Sequence, residues 1–266
     1  MSSNGSGRRA LVTGASAGLG EVFAHRLAAR GYDLVLAARR RERLDALAAA
    51  LSARYGVRTE VQQVDLGAPG GASALADAVL EEGGLDLLVN NAGFGRAGRA
   101  AELPLEHHLQ VIQLNIATLT ELTHRVLPTL RERRGGLINI ASTAGFQALP
   151  YHAVYAASKA YVLHFTEALA FELRGEVRVT AICPGPTATE FAQVNLPKGE
   201  LPAVAKMATQ SAEEVVDEGL AGFDAGRVVV VTGVSNYLGT VLATIAPRAL
   251  VRRVAGRYFY RDVVGN

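Results

Sequence analysis

Residues 9–31 read RALVTGASAGLGEVFAHRLAARG, a short apolar strand that runs directly into a helical pattern. Three glycines stand at the junction, where the chain must turn sharply from strand to helix. The backbone amides at such a helix start, together with the positive end of the helix dipole, suit a pyrophosphate. A tight turn also wants glycine for steric reasons, so the spacing alone leaves both interpretations open. The predicted ligands in this loop are Gly14, Ser16, Gly18, Leu19 and Gly20.

Six further short runs rich in β-branched residues or leucine follow, and helical patterns separate them. Strands that alternate with helices predict right-handed crossovers and a parallel sheet covered by helices on both faces. The predicted fold class is therefore α/β, with a doubly wound parallel sheet of seven strands. The six runs are YDLVLAA (32–38), TEVQQV (59–64), LDLLV (85–89), GLINIAS (136–142), VRVTAICP (177–184) and RVVVVTG (227–233).

The composition argues against several classes of protein. Lys and Arg total 27 against 25 acidic residues, so no excess of positive charge indicates nucleic-acid binding. The single cysteine, Cys183, excludes an intramolecular disulfide, and the six histidines lack carboxylate or cysteine partners at metal-ligand spacing. The N-terminus shows no signal-peptide pattern, and no apolar run is long enough to span a bilayer. We therefore expect a cytoplasmic protein without a metal site.

The length, 266 residues, is sufficient for one large α/β domain. We expect a flexible N-terminus over residues 1–8, one catalytic domain over 9–234, and a helical extension over 235–266 that is interrupted near Pro247. Between the sixth strand and a helix that opens with a capping-box pattern lies the long segment 186–210. Loops of this length are often lids, so we predict a substrate lid there.

The end of the second strand discriminates between the two nicotinamide dinucleotides. An acidic residue there would bind the ribose 2′-hydroxyl and repel a 2′-phosphate, whereas this chain has arginines. A guanidinium matches a phosphate, so Arg39 and Arg40 predict that NADP(H) is favoured over NAD(H). The alternative, a solvated basic helix start, explains Arg41 and Arg43 better. Asp65, after the third strand, could bind the adenine amino group or could cap a helix.

A phenol and a cation lie one helical turn apart in YAASKAYVLHF (155–165). The spacing of Tyr155 and Lys159 puts both side chains on one helical face. Each residue alone also fits an ordinary structural role, as a core tyrosine with a satisfied hydroxyl and as a snorkelling lysine. The pair is therefore informative only together with the motifs around it.

Taken together, these motifs resemble those of the short-chain dehydrogenase/reductase family. The segments that carry the resemblance are TGASAGLG (13–20), NNAG (90–93), QLNI (113–116), INIAS (138–142), YAASK (155–159) and CPGPTAT (183–189). Their order and spacing resemble the family's short, single-domain, NADP-preferring branch over nearly the whole chain. The resemblance implies a Rossmann-type domain and an oxidoreductase that reduces a ketone or aldehyde reversibly.

The resemblance implies four catalytic residues, Ser142, Tyr155, Lys159 and Asn115. Tyr155 would give the proton, and a cation one turn away would lower the pKa of its phenol. Lys159 would also bind the nicotinamide ribose, Ser142 would stabilise the substrate oxygen, and Asn115 would hold a water of the proton relay. The competing interpretation is a non-catalytic, dinucleotide-binding regulatory protein.

Two further segments are implied as coenzyme contacts. The end of the fourth strand would flank the adenosine ribose and brace the central sheet, and the turn after the sixth strand would hold the carboxamide. The residues concerned are Asn90, Asn91, Ala92 and Gly93 in the first segment, and Pro184, Gly185, Thr187 and Thr189 in the second.

Apolar residues in two loops predict a small apolar carbonyl or alcohol substrate, although they could simply anchor the loops to the core. They are Phe146, Leu149 and Tyr151 after Ser142, and Phe191, Val194, Leu196, Leu201, Val204 and Met207 in the predicted lid.

By analogy with the family, we expect a homodimer or homotetramer that associates through helices over residues 105–131 and 154–174. The tail over 235–261 alternates apolar residues with arginines. We expect this tail to cover the substrate pocket or a neighbouring subunit rather than to rest on an anionic membrane surface.

Overall fold

The computed structural model describes residues 7–190 and 209–263, and in it strands and helices alternate along the chain. The strands are β1 (Arg9–Thr13), β2 (Asp33–Ala38), β3 (Thr59–Gln63), β4 (Leu87–Asn90), β5 (Gly136–Ile140), β6 (Arg178–Cys183) and β7 (Val229–Val231). The helices are α1 (Gly18–Ala29), α2 (Arg41–Tyr55), α3 (Gly71–Glu81), α4 (Leu105–Ile112), α5 (Leu119–Glu132), α6 (Ala153–Glu172), α7 (Ala212–Asp224), α8 (Val234–Ile245) and α9 (Arg248–Val263).

All seven strands form one parallel sheet in the order β3-β2-β1-β4-β5-β6-β7. The predicted doubly wound, seven-stranded sheet is thus confirmed, and each predicted strand lies within two residues of the observed bounds. The strand order reverses between β1 and β4. At such a switch point the connections leave in opposite directions and open a crevice beyond the carboxyl ends of the strands.

Two apolar cores, one on each face of the sheet, hold the helices in place. On one face Phe23 and Leu27 of α1 are buried with Leu44 of α2 and Leu220 of α7. On the other face α3, α5 and the end of α6 bury their apolar sides, for example at Leu122. Strands β2 and β5 are buried along their whole length, as expected for a sheet covered on both faces.

The helices predicted for association are observed, with different bounds. The first consists of α4 and α5 joined by a π-helical stretch, Gln113–Thr118, and the second is α6. Both carry large exposed hydrophobic side chains, which are Leu105, Leu109, Ile112, Tyr161 and Phe171. Association through them stays a prediction.

The capping-box pattern at the start of α7 is confirmed, because the Ser211 and Glu214 side chains each bond the other residue's backbone amide. The tail forms two helices, and the break predicted near Pro247 separates α8 from α9. Residues 191–208 of the predicted lid, including its six apolar residues, lie outside the described residues. No helix in the described part of the chain is long and apolar enough to cross a membrane.

Candidate active site

The glycine-rich turn takes a conformation that side chains disfavour. Gly14 and Gly18 have φ angles of +66° and +58°. A Cβ at Gly20 would lie 2.3 Å from the Gly14 carbonyl oxygen, so only glycine lets the first turn of α1 approach the loop this closely. Among the described residues, no side chain caps the start of α1. Its first amides are thus available to an anion that reaches the turn.

The end of β4 holds the glycine-rich turn in place through hydrogen bonds. The Asn91 side chain donates a hydrogen bond to the Thr13 carbonyl at 2.8 Å, and the Asn91 and Ala92 amides donate to the Thr13 hydroxyl at 3.0 Å. Asn90 is buried and bonds the side chains of Thr123 and Asn139, both at 2.9 Å. Asn90 therefore holds the central sheet together, as the resemblance implies.

A cavity of about 860 Å³ extends along the carboxyl ends of β1, β4, β5 and β6. Most of the predicted site residues line it, whereas Ser16, Gly20, Asp65, Asn90 and Asn115 do not. Those on its wall are Gly14, Gly18, Leu19, Arg39, Arg40, Asn91, Ala92, Gly93, Ser142, Tyr155, Lys159, Pro184, Gly185, Thr187 and Thr189.

The arginines after β2 differ in what they contact. The Arg39 side chain lines the cavity and forms no hydrogen bond or ion pair within the described part of the chain. Arg40 donates to the Ser16 hydroxyl at 3.2 Å and to a carboxylate oxygen of Glu190 at 2.9 Å. Arg43 reaches the other oxygen of Glu190 at 2.8 Å, and Arg41 pairs with Asp45 on its own helix.

The Asp65 carboxylate accepts a hydrogen bond from the Gly67 amide at 2.9 Å. This is a local turn and not the helix cap that the sequence left open as the alternative, because α3 begins at Gly71 with Gly70 at its N-cap. The cavity wall does not include Asp65.

Ser142 and Tyr155 share a hydrogen bond between their side chains. Ser142 is held in place because its hydroxyl accepts from the Ala144 amide at 3.1 Å and donates weakly to the Pro184 carbonyl at 3.4 Å. The Tyr155 ring packs tightly against Gly95, where a Cβ would lie 2.8 Å from a ring carbon. Two separate loops and the start of α6 therefore fix the relative positions of the two hydroxyls.

Burial dominates the ionisation of Tyr155. It raises the pKa of the phenol above its ordinary value, and the hydrogen bond with Ser142 offsets part of that rise. In the coenzyme-free protein Lys159 is not among the groups that shift this pKa, so its lowering by Lys159 stays a prediction for the protein with coenzyme bound. The Lys159 ammonium instead donates to the Ile140 carbonyl at 2.7 Å and lies 6.0 Å from the centroid of the Tyr155 ring. The Ile140 carbonyl, at the end of β5, is a strong acceptor that the sequence does not reveal.

Lys159 is itself 6% exposed, and burial lowers its pKa to about 8. Its ammonium lies close to Gly93, since a Cβ there would be 3.5 Å from the lysine nitrogen. Nearby Cys183 is buried, and burial raises the pKa of its thiol to about 12. The thiol therefore stays protonated and is a packing residue at the end of β6.

Asn115 lies behind the cavity wall, in the π-helical stretch between α4 and α5. Its side-chain oxygen accepts from the Phe94 amide at 3.1 Å, and its side-chain nitrogen donates to the Phe94 carbonyl at 2.9 Å and to the Ser158 hydroxyl at 3.0 Å. Asn115 thus ties the loop after β4 to α6, the helix that carries Tyr155 and Lys159.

The turn after β6 is anchored at both ends. The Thr143 amide donates to the Pro184 carbonyl at 2.9 Å, and Thr187 pairs with Gln210 in an isolated β-bridge. A Cβ at Gly185 would lie 2.3 Å from the Asn236 side-chain oxygen, so this glycine lets α8 approach the turn. The turn is thereby held over the cavity.

Sequence reasoning missed part of the cavity wall. Gln147 and His152 line it, and the His152 imidazole is mostly buried there. Burial lowers the pKa of His152, so its imidazole is neutral at pH 7. Helices α8 and α9 supply the rest, with Gly239, Leu242, Ala243, Ala246, Leu250, Val251, Val254, Ala255, Tyr258 and Phe259. The sequence did predict that the tail covers the substrate pocket or a neighbouring subunit, but it did not show which face of each helix meets the cavity.

Within residues 7–190 and 209–263, no cluster of His, Cys, Asp and Glu side chains could hold a metal ion. The polar side chains that line the cavity are one serine, two tyrosines, one lysine, two arginines, one glutamate, one glutamine, one histidine, one asparagine and three threonines.

Known proteins resemble this chain over nearly its whole length. Residues 8–199 match the family model described as short chain dehydrogenase. An uncharacterized oxidoreductase of Myxococcus xanthus is 38% identical over 258 residues, which cover 91% of this chain and 97% of that protein. A solved 7beta-hydroxysteroid dehydrogenase is 31% identical with a TM-score of 0.83, over 94% of this chain and 97% of the other.

Two similar structures contain a coenzyme. A short-chain dehydrogenase from Sphingobium yanoikuyae in complex with NADPH has a TM-score of 0.80 and 34% identity, over 88% of this chain and 91% of that chain. One from Burkholderia phymatum in complex with NAD has a TM-score of 0.78 and 27% identity, over 91% and 94% of the two chains. Because the family model covers residues 8–199, which include the glycine-rich turn, six of the seven strands and the helix of Tyr155 and Lys159, this chain belongs to the short-chain dehydrogenase/reductase family of oxidoreductases.

Proposed function

We propose that the protein reduces an apolar ketone or aldehyde to an alcohol, reversibly, with NADPH as the hydride donor. The observation that carries this proposal is the convergence of Ser142, Tyr155 and Lys159 on one cavity that also reaches the glycine-rich turn. One relative is a hydroxysteroid dehydrogenase, which supports an alcohol or ketone as the reacting group.

The cavity fits a nicotinamide dinucleotide. Uncapped amides at the start of α1 would hold its pyrophosphate, and Lys159, close to Gly93, would hold a ribose hydroxyl. Arg39 and Arg40 would hold a 2′-phosphate, which only NADPH carries, so these two residues support the NADPH preference. When bound, the coenzyme supplies the hydride.

Three side chains would carry the proton chemistry. The Tyr155 hydroxyl, protonated at neutral pH because burial raises its pKa, would donate its proton to the substrate oxygen. Ser142 would donate a hydrogen bond to the same oxygen and stabilise its developing negative charge. The Lys159 ammonium would favour the phenolate that remains, since a nearby positive charge stabilises an anion.

Apolar side chains of three elements support an apolar substrate. The cavity that contains Tyr155 is also lined by Leu149, Leu242, Val251, Val254 and Phe259. Polar groups on this side are few, as is typical of sites that bind apolar ligands with one oriented polar atom.

The coenzyme preference can be tested with Arg39→Ala and Arg40→Ala. Each variant should raise the KM for NADPH about 10- to 100-fold, because a hydrogen bond to a charged group contributes about 1.5–3 kcal/mol. The KM for NADH should stay the same. The measurement is nicotinamide absorbance with a panel of ketones, aldehydes and quinones.

Arg41→Ala is the matched control, because Arg41 pairs with Asp45 and does not line the cavity. Equal use of NADH and NADPH by the unaltered protein would contradict the coenzyme proposal. Tight NADPH binding without turnover of any carbonyl would instead favour a non-catalytic dinucleotide-binding protein.

The role of α9 in the substrate wall can be tested by Val251→Trp. Since Val251 lines the cavity, a larger side chain should raise the KM for bulky ketones about tenfold, which corresponds to about 1.4 kcal/mol, and should affect small ketones much less. Val241→Trp is the control, because Val241 is partly exposed on α8 and does not line the cavity. Equal effects of the two variants on the bulky substrates would argue against this wall.

A further inference from the structure

Glu190 lies between two of the arginines near the coenzyme end of the cavity. One carboxylate oxygen accepts from Arg40 Nη1 at 2.9 Å, and the other accepts from Arg43 Nη1 at 2.8 Å. Both arginines lower the pKa of this carboxyl group, so it is ionised at neutral pH. The two guanidinium groups therefore already hold an anion, which the chain itself supplies from the turn after β6.

The Arg40 guanidinium has no uncommitted nitrogen. Its Nε atom donates to the Ser16 hydroxyl at 3.2 Å, its Nη2 atom donates to the Ser16 carbonyl at 3.3 Å, and its Nη1 atom is taken by Glu190. Arg39, in contrast, lines the same cavity with its side chain unpaired among the described residues. An incoming phosphate could bind Arg39 directly, whereas on the Nη1 side of Arg40 it would meet the Glu190 carboxylate.

We propose that Glu190 is an internal competitor for the 2′-phosphate of NADPH and thereby a determinant of coenzyme selectivity. The proposal rests on the NADPH preference proposed above. A carboxylate and a phosphate repel each other, so both cannot share one edge of the Arg40 guanidinium. Binding of NADPH would therefore separate Glu190 from Arg40, whereas NADH, which has no 2′-phosphate, leaves this ion pair in place.

The position of Glu190 makes this exchange specific to the coenzyme site. Glu190 and Arg40 both line the cavity, and Glu190 directly follows Thr189, another residue of the wall. A Cβ on Gly18 would lie 3.3 Å from Thr189, so this part of the turn packs against the start of α1. The competing carboxylate thus stands beside the loop that is predicted to hold the pyrophosphate.

The test is Glu190→Gln, with the dissociation constants of NADPH and NADH measured by isothermal titration calorimetry. Glutamine keeps the size of the side chain and removes its charge. NADPH should bind about three- to tenfold more tightly, because an exposed ion pair contributes up to about 1 kcal/mol and removal of the like charge adds to this. The affinity for NADH should not change.

Asp45→Asn is the matched control, because it removes the carboxylate partner of neighbouring Arg41 outside the cavity and should change neither affinity. Weaker or unchanged NADPH binding by Glu190→Gln would overturn the proposal and would assign Glu190 to positioning Arg40. If the unaltered protein binds NADPH and NADH with equal affinity, the proposed NADPH preference is wrong. A preference that arises only in Glu190→Gln would support competition by Glu190.

Discussion

Tyr155→Phe should reduce kcat for ketone reduction by about 10²- to 10⁴-fold, the usual contribution of a positioned general acid. The substitution removes one hydroxyl and keeps the ring, which packs against the cluster of Ala144, Leu149 and Ala156. The hydrogen bond that is lost joins Tyr155 to Ser142. Fold, thermal stability and the dissociation constant of NADPH should therefore stay close to those of the unaltered protein.

The pH dependence of the two directions follows from the same group. Burial raises the pKa of the Tyr155 phenol, so in the coenzyme-free protein the hydroxyl is protonated throughout the neutral range, as reduction requires. Alcohol oxidation needs the phenolate, so its rate should rise with pH on the alkaline side while reduction stays level or falls. Initial rates in both directions from pH 6 to about pH 10 measure this.

Tyr151→Phe provides the control for Tyr155→Phe. It removes another phenol hydroxyl just before α6, from a residue that contacts the Tyr260 ring and does not line the cavity. Activity should be retained there. Full turnover by Tyr155→Phe would contradict Tyr155 as the proton donor and would indicate that another polar group of the cavity donates the proton.

The sequence predicted the strands, the glycine-rich turn and the tyrosine–lysine pair because each depends on spacing within a few residues. Apolar alternation identifies a strand, and a turn between Thr13 and Gly20 needs glycine whatever surrounds it. Such signals are local, whereas the order of the strands in the sheet was not predicted because it depends on contacts between distant segments.

Contacts between distant segments could not be predicted from the sequence. Glu190 meets Arg40 across 150 positions, and nothing near either residue indicates the other. The Ile140 carbonyl that accepts from Lys159 is a backbone group, which every residue has. The face of α9 that closes the cavity depends on how the helix docks, because its apolar side chains point in several directions.

Lys159→Met should abolish most activity and yet stabilise the coenzyme-free protein at pH 7. Lys159 is buried, forms no ion pair with a described carboxylate, and has a pKa lowered from 10.5 to about 8 by desolvation. A shift of this size corresponds to a destabilisation of about 3 kcal/mol. Loss of the hydrogen bond to the Ile140 carbonyl offsets part of the gain, so the free energy of unfolding should rise by about 1–2 kcal/mol.

The sign of the pH dependence distinguishes this explanation from a simple packing effect. Below pH 8 the lysine is protonated in both states, and the full cost of burying its charge is present. Between pH 8 and 10.5 the unfolded chain binds the proton that the folded chain has lost, so the stability of the unaltered protein rises with pH relative to that of the variant. The advantage of Lys159→Met should therefore shrink or reverse by about pH 10.

Urea unfolding of both proteins at pH 7 and pH 10 measures the two free energies of unfolding and their pH dependence. NADPH turnover at pH 7 measures the loss of activity. A variant that is less stable at pH 7 would show that the hydrogen bond to Ile140 outweighs the desolvation of the ammonium. If the variant is more stable but inactive, the unaltered protein carries the cost of a buried ammonium near Tyr155 that no described carboxylate neutralises. Such a cost, at a position where an apolar side chain would stabilise the protein, is the pattern expected of a residue retained for chemistry rather than for folding.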